Sequence, residues 1–126
     1  MRVPKPIEYF RNLLLMEFVG EGGLPCATLV KSVVDKPDAV LRQITRAVRI
    51  MTLKAGLVHG DLSPYNVLYD GKHIAVIDMG EAISTKHPEA RRLLQRDADI
   101  FCKYFVRLGV KTTPEDVFRK MGGEEL

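Results

Sequence analysis

Cysteine is scarce in this chain and poorly placed for chemistry. The two thiols, Cys26 and Cys102, lie far apart, match no CxxC or zinc-ligand spacing, and read as small buried hydrophobes. The three histidines, His59, His73 and His87, are scattered, so zinc has no ligand set either. No segment approaches the apolar run that a membrane span needs. The opening residues carry Pro4, Pro6 and Glu8 where a secretory leader needs an unbroken apolar stretch. A cytoplasmic protein without a membrane partner is expected. Internal repeats and low-complexity tracts are absent. Charge is weak as well: nine cationic residues face five anionic ones over residues 1–58, and ten face eleven beyond, for a net +3 that does not by itself mark a nucleic-acid binder. What remains, 126 residues at 46% hydrophobic and 28% charged, suits one globular domain. A chain of this size buries about two-thirds of its unfolded surface without help from disulfides or metals.

Pro4 and Pro6 hold the first segment extended, and Leu13 to Val19 follows as a second strand ended by Gly20, Gly22, Gly23 and Pro25. Thr28 to Val34 reads as a short helix. Asp35 offers a capping carboxylate and Pro37 an early-turn proline to a helix whose Val40, Ile44, Ala47, Val48, Met51 and Ala55 recur at helical spacing, with Gly56 as its stop. Arg42, Arg46 and Arg49 fall toward its other side as a solvated face. The strands Val67–Tyr69 and His73–Ile77 flank an Asp70-Gly71-Lys72 turn. A helix from His87-Pro88-Glu89 through Gly109 carries Leu94, Phe101, Tyr104, Phe105 and Leu108 on one stripe, and Thr113-Pro114 starts a last short helix ending at Gly122-Gly123.

Between the first long helix and the hairpin lies Leu57-Val58-His59-Gly60-Asp61-Leu62-Ser63-Pro64-Tyr65-Asn66, a polar loop that neither a helix nor a long strand can cross. Asp61, Asn66 and Asp78 bring three oxygen-bearing side chains to this loop and to the hairpin ends. With a three-residue loop at 70–72, Asn66 faces Val76 and Asp78 is its diagonal neighbour, roughly 7–8 Å away at the backbone. A two-residue loop would set the pair on opposite faces. The three-residue loop is the expectation. So few hard oxygens suit magnesium that completes its shell with water and substrate phosphates, which points to a metal–nucleotide complex. Asp97 falls on the apolar stripe between Leu94 and Phe101. A buried carboxylate needs partners, and the loop backbone near His59 and Gly60 is the expected one. His59 reads as a hydrogen-bonded support of the loop.

The spacing His-x-Asp, then Asn five residues after the Asp, then a hydrophobic strand ending in Asp-x-Gly, resembles the catalytic and metal-binding segments of protein kinases. More narrowly, the run from Leu57 to Ser63 with Tyr65-Asn66, His87-Pro88-x-Ala90, and Gln95-Arg96-Asp97 with Phe101 and Phe105 resemble the first subfamily of RIO atypical kinases over nearly the whole chain. Pro64 stands where that subfamily commonly has an acidic residue, and Glu81 where it commonly has Gln. The resemblance implies an α+β fold: a kinase-like large, C-terminal lobe, mainly helical with a catalytic β-hairpin, over residues 21–126, and a remnant small-lobe hairpin and hinge over residues 1–20. It implies a serine/threonine kinase or ATPase using ATP with Mg2+, or Mn2+ as the alternative ion, linked to small ribosomal subunit maturation, with a pre-small-ribosomal-subunit particle as partner. Asp61 would orient or deprotonate the attacking hydroxyl. Asn66 and Asp78 would hold the metal, and Asp78 is also a candidate phosphoacceptor. The backbone of Glu17 and Val19 would meet adenine, with Leu68 and Ile77 beneath the ring. An aminoglycoside-type phosphotransferase and a non-catalytic binding module are the competing readings.

The chain opens just before the resembled hinge, without a glycine-rich phosphate loop or its lysine. The expectations are exposed apolar surface, self-association or docking onto a separately encoded small lobe, and slow or absent phosphoryl transfer by this chain alone.

Overall fold

A computed structural model describes residues 27–77 and 79–126. The expected hinge hairpin of residues 1–20, Cys26 and Asp78 lie outside the described residues. Three helices and two small antiparallel sheets make up the rest, an α+β arrangement. Among the described residues no helix is long and apolar enough to cross a membrane.

Helix α1, Pro37–Leu53, has proline in its first turn, where the missing N–H costs nothing, and Asp38 beside it to meet the positive helix end. Its residues Val40, Leu41, Ile44, Ala47, Val48 and Met51 are buried. The hydroxyls of Thr45 and Thr52, also buried, donate back to the carbonyls of Leu41 and Val48 at 3.0 and 2.9 Å. The N-cap is Lys36 with no side-chain cap, so Asp35 does not play the part expected of it. Helix α2, Ala90–Arg107, buries Leu94, Ala98, Phe101, Cys102 and Phe105 at three- and four-residue spacing. It starts later than expected because His87 to Glu89 form a separate turn, and Leu108 lies exposed rather than on the buried stripe. Helix α3, Pro114–Lys120, is capped by Thr113, whose hydroxyl accepts from the Asp116 N–H at 3.1 Å, and presses Val117 and Phe118 onto α2.

The first sheet has the order β1-β3-β4, from Ala27–Thr28, Val67–Tyr69 and Ile74–Val76. The helix expected over Thr28–Val34 is instead this edge strand followed by one 3-10 turn, Leu29–Lys31. The β-branched residues Thr28, Val30, Val33 and Val34 disfavour a longer helix, and Leu29 is fully buried as an anchor, its carbonyl accepting from the Tyr104 hydroxyl at 3.1 Å. The second sheet pairs β2, Leu57–Val58, with β5, Ile83–Ser84, in the register Leu57↔Ser84 and Val58↔Ile83. Both are two-residue strands without sequence periodicity.

The C-terminal turn is strapped to the helices by Arg91. Its guanidinium donates to the Gly123 carbonyl at 3.1 Å and lies 5.0 Å over the Phe118 ring. A Cβ at Gly123 would fall against the Phe118 ring atoms, closer than nonbonded carbons approach. The ring, buried and covered by Arg91, has no easy retreat. Gly123→Ala is therefore expected to cost about 1–3 kcal/mol through overpacking, measured as a lowered urea midpoint, while Glu124→Ala on the exposed neighbour leaves the midpoint unchanged.

Candidate active site

The hairpin register decides which side chains share a face. Val67↔Val76, Leu68↔Ala75 and Tyr69↔Ile74 are the observed pairs, and the Ile77 N–H donates to the Asn66 carbonyl at 2.8 Å, extending the ladder by one bond. The loop is thus the two residues Gly71-Lys72, and the expected three-residue loop with Asn66 facing Val76 is incorrect. Asp70 explains the difference: its N–H donates to the His73 carbonyl at 3.2 Å, and its Oδ1 accepts from the Lys72 and His73 N–H groups at 2.8 and 2.6 Å. Those bonds, whose N–H dipoles together with the His73 ring hold the Asp70 carboxyl below its ordinary pKa despite desolvation, draw Asp70 into the ladder and leave a tight turn with Gly71 at φ +96°. Asn66 lies directly opposite Ile77. The diagonal relation proposed for Asp78 goes with the longer loop. Val67, Tyr69, Ile74 and Val76 form one side, and the half-buried Asn66, Leu68 and Ile77 share the other with the buried Ala75.

The loop from His59 to Asn66 is held from beneath by buried polar groups. The imidazole of His59 is buried, its Nδ1 accepting from the Asp61 N–H at 3.2 Å and its Nε2 lying 2.9 Å from the Ile77 carbonyl. A nitrogen that accepts carries no proton, so the ring proton sits on Nε2 and is donated to Ile77. One side chain thereby ties the loop to the end of β4. Gly60 has φ +88°, a left-handed conformation that side chains resist, while the space around it would admit a Cβ. Leu62 is fully buried. The Ser63 hydroxyl accepts from the Tyr65 N–H at 3.2 Å and, with Pro64, starts the 3-10 turn Pro64–Asn66. Within that turn Asn66 donates its Nδ2 to the Asp61 carbonyl at 2.6 Å, which leaves Oδ1 as the acceptor end of the amide.

Asp97 reaches this loop from α2. It is fully buried, and its Oδ1 accepts from the Leu62 N–H at 3.1 Å. Its Oδ2 has no hydrogen-bond partner among the described residues; the Gly60 N–H is near enough to pull on the carboxylate electrostatically without hydrogen-bond geometry to Oδ2. Burial dominates and pushes the Asp97 carboxyl up to about 7, against the opposing pull of the Leu62 and Gly60 N–H groups and the Arg96 guanidinium. By contrast the Asp61 side chain is 63% exposed, and Arg96 Nη2 lies 3.7 Å from its Oδ1. Sequence reasoning included Ser63 and Arg96 in the resembled motifs but gave neither a role at the site. The signal for Arg96 was its position beside Asp97, one helical step from the loop; for Ser63 it was the Ser-Pro pair that opens a turn.

Asp61, Asn66, His59, Leu68, Ile77 and Asp97 thus belong to one neighbourhood. Glu17, Val19 and Asp78 lie outside the described residues. An amide oxygen and an exposed carboxylate on one loop are hard donors, of the kind Mg2+ accepts alongside water and phosphate.

Comparison with known proteins bears on this loop. A family model described as the RIO domain matches residues 1–118. The RIO-type serine/threonine-protein kinase Rio1 of Haloferax volcanii is 35% identical over 125 residues, covering 99% of this chain and 43% of that protein. Its namesake from Thermoplasma acidophilum is 32% identical over 114 residues, covering 90% of this chain and 59% of that protein. The chain thus spans about half the length of the curated relatives it matches. A solved structure, the Rio2 kinase-ADP/Mg2+-phosphoaspartate complex from Chaetomium thermophilum, covers 94% of this chain and 47% of that one at a TM-score of 0.48 and 19% identity, a likeness that adds nothing to the sequence matches.

The Asp97 carboxyl makes folding depend on pH. In the unfolded chain it ionises near 4; in the fold it ionises at about 7. Between those values the native state holds the extra proton, so stability is greatest on the acid side and falls as pH rises through the window. The urea midpoint of the wild type is expected to fall between pH 5 and 7.5, by on the order of a few kcal/mol in unfolding free energy. Asp97→Asn, whose amide oxygen can still accept from Leu62, is expected to flatten that slope; a wild-type midpoint that rises over the same range contradicts the assignment.

Proposed function

The chain belongs to the RIO domain family, and on that premise we propose that it carries the catalytic loop of an ATP-dependent serine/threonine protein kinase. The observation that supports the reading best is the bond from Asn66 Nδ2 to the Asp61 carbonyl, at 2.6 Å. It ties the Asn66 amide to the backbone of Asp61, five residues away, on a loop that His59 and Asp97 hold from below.

In this reading Asp61 is the group that meets the acceptor hydroxyl. Its exposure leaves it accessible to a substrate side chain, and its carboxylate accepts the hydroxyl proton as the oxygen attacks the γ-phosphorus and the bond to the ADP oxygen breaks. Asn66 Oδ1 and Asp78 would hold Mg2+, which when bound offsets the charge on the phosphate oxygens; Asn66 closes the 3-10 turn Pro64–Asn66 rather than lying within the strand, so the face alternation of the two-residue hairpin does not govern its amide. Leu68 and Ile77 would lie beneath the adenine ring, and the backbone of Glu17 and Val19 would meet its edge. Asp78 is the candidate for a phosphorylated acceptor. His59 and Asp97 act through the loop as positioning residues. The names of the relatives support serine or threonine as the acceptor class. Membership in the family is the ground for proposing a pre-small-ribosomal-subunit particle as the partner.

The test compares wild type, Asp61→Asn and Asn66→Ala for Mg2+-dependent binding of a fluorescent ATP analogue and for release of γ-phosphate. Turnover by this chain alone is expected to be slow; Asp61→Asn is expected to keep nucleotide affinity within about twofold and to lower that turnover toward the uncatalysed background, a general base being worth about 10²–10⁴-fold. Asn66→Ala is expected to lose the Mg2+ dependence of binding. Turnover by Asp61→Asn at the wild-type rate, or wild-type protein that binds no Mg2+–nucleotide, overturns the proposal.

A further inference from the structure

The first long helix turns a row of cations outward. Arg42, Arg46 and Arg49 occupy positions i, i+4 and i+7 of α1, one stripe about 10 Å long at 1.5 Å per residue. All three are exposed, on the side away from the buried Ile44, Val48 and Met51. Across from them the end of α3 contributes Arg119 and Lys120, so that a groove of about 820 Å³ runs between the two helices with five cationic residues against only Glu124 and Glu125. The groove contains no residue of the 59–66 loop.

The five cations are not equivalent. Arg49 joins the walls: its Nη1 donates to the Arg119 carbonyl at 3.4 Å and its Nη2 pairs with Glu125 at 3.6 Å. Arg119 and Lys120 pair with Asp116, one turn back on their own helix. Arg42 and Arg46 have no hydrogen bond or ion pair through their guanidinium groups among the described residues. Two unpaired guanidinium groups a turn apart, with three further cations close by, form an array of planar donors matched to phosphate.

We propose that this groove is a docking surface for the phosphate backbone of a nucleic-acid strand, separate from the phosphotransfer site. Two features favour that occupant over an acidic protein. The lining has one apolar side chain, Ala39, and no aromatic one, whereas protein interfaces depend on buried apolar or aromatic anchors. The cations form a row, suited to a regularly repeating charge. With no aromatic side chain in the lining to stack bases, and with cations that suit phosphate, the surface is matched to the backbone first. The weak net charge of the whole chain conceals this face, whose lining holds five cationic residues and two acidic ones.

The test is fluorescence anisotropy of a labelled 20-nucleotide oligouridylate titrated with the full chain at several KCl concentrations from 50 to 200 mM. The logarithm of the association constant is expected to fall linearly with the logarithm of salt, each neutralised phosphate contributing about 0.7 to the slope for a single strand. Arg42→Ala/Arg46→Ala removes guanidinium groups that make no hydrogen bond or ion pair among the described residues; it is expected to weaken binding tenfold or more at 50 mM and to reduce the slope by about 1.4. Lys103→Ala/Arg107→Ala, on the exposed side of α2, serves as the charge-matched control and is expected to leave both unchanged. Circular dichroism and the urea midpoint show whether each variant is folded. Binding by the folded Arg42/Arg46 variant that equals wild type overturns the proposal, as does equal loss in the control, absence of binding at 50 mM, or competition by polyglutamate as effective as that by unlabelled oligouridylate.

Discussion

A loop with no regular secondary structure has to satisfy its backbone some other way, and here that task falls on two buried side chains. His59 takes the Asp61 N–H on one ring nitrogen and gives its proton to the Ile77 carbonyl with the other, and Asp97 takes the Leu62 N–H. Consecutive peptide groups of the loop are thus fixed to the end of a strand and to the middle of a helix. Without these partners, buried backbone groups would be left unpaired, each at a cost of about 1–3 kcal/mol. Everything exposed at the site depends on this buried arrangement, because Asp61 and Asn66 take their positions from the same backbone.

The division of labour is electrostatically sensible. The buried carboxyl of Asp97 is pushed toward its neutral form, which lowers the cost of holding it in the interior, while the Asp61–Arg96 pair lies at the solvent side. A buried, permanently charged group beneath the loop would have competed with Asp61 for whatever cation approaches it. The partner-free Oδ2 of Asp97 fits the same picture, since an oxygen that carries a proton or shares a neighbouring N–H field tolerates burial better than a bare anion.

Much of this was legible in the sequence, though unevenly. The long helices followed from their periodicity, and burial of Leu94, Phe101 and Phe105 from the stripe they share. Asp97 stood out as a charge on an apolar face. What sequence concealed were features set by tertiary pairing or by a single side chain. Strands β2 and β5 are too short to show alternation and exist only because each has the other. The hairpin register turned on Asp70, whose side chain caps the turn and moves the residue from loop to ladder. The same Asp-Gly signal fits either loop length, and a one-residue slip exchanges the faces of every residue along the strand. Helix α2 began late because the turn before it was indistinguishable from a first helical turn on propensity alone.

The two-rung clasp of β2 and β5 stands at both ends of the segment that matters chemically. Val58 leads directly into His59, and its rung-mate Ile83 receives the chain on its return. Residues 59–82 are thereby an excursion with a closed base, encompassing the loop, the hairpin and the turn beyond it. As a stretch of sequence it looks like a portable cassette that another pair of short strands could accept. Energetically it is not portable, because one of its two anchors, Asp97, belongs to the helix underneath. A host scaffold would have to supply a carboxyl at that depth, or the transplanted loop would arrive with its residues in order and its backbone unmoored.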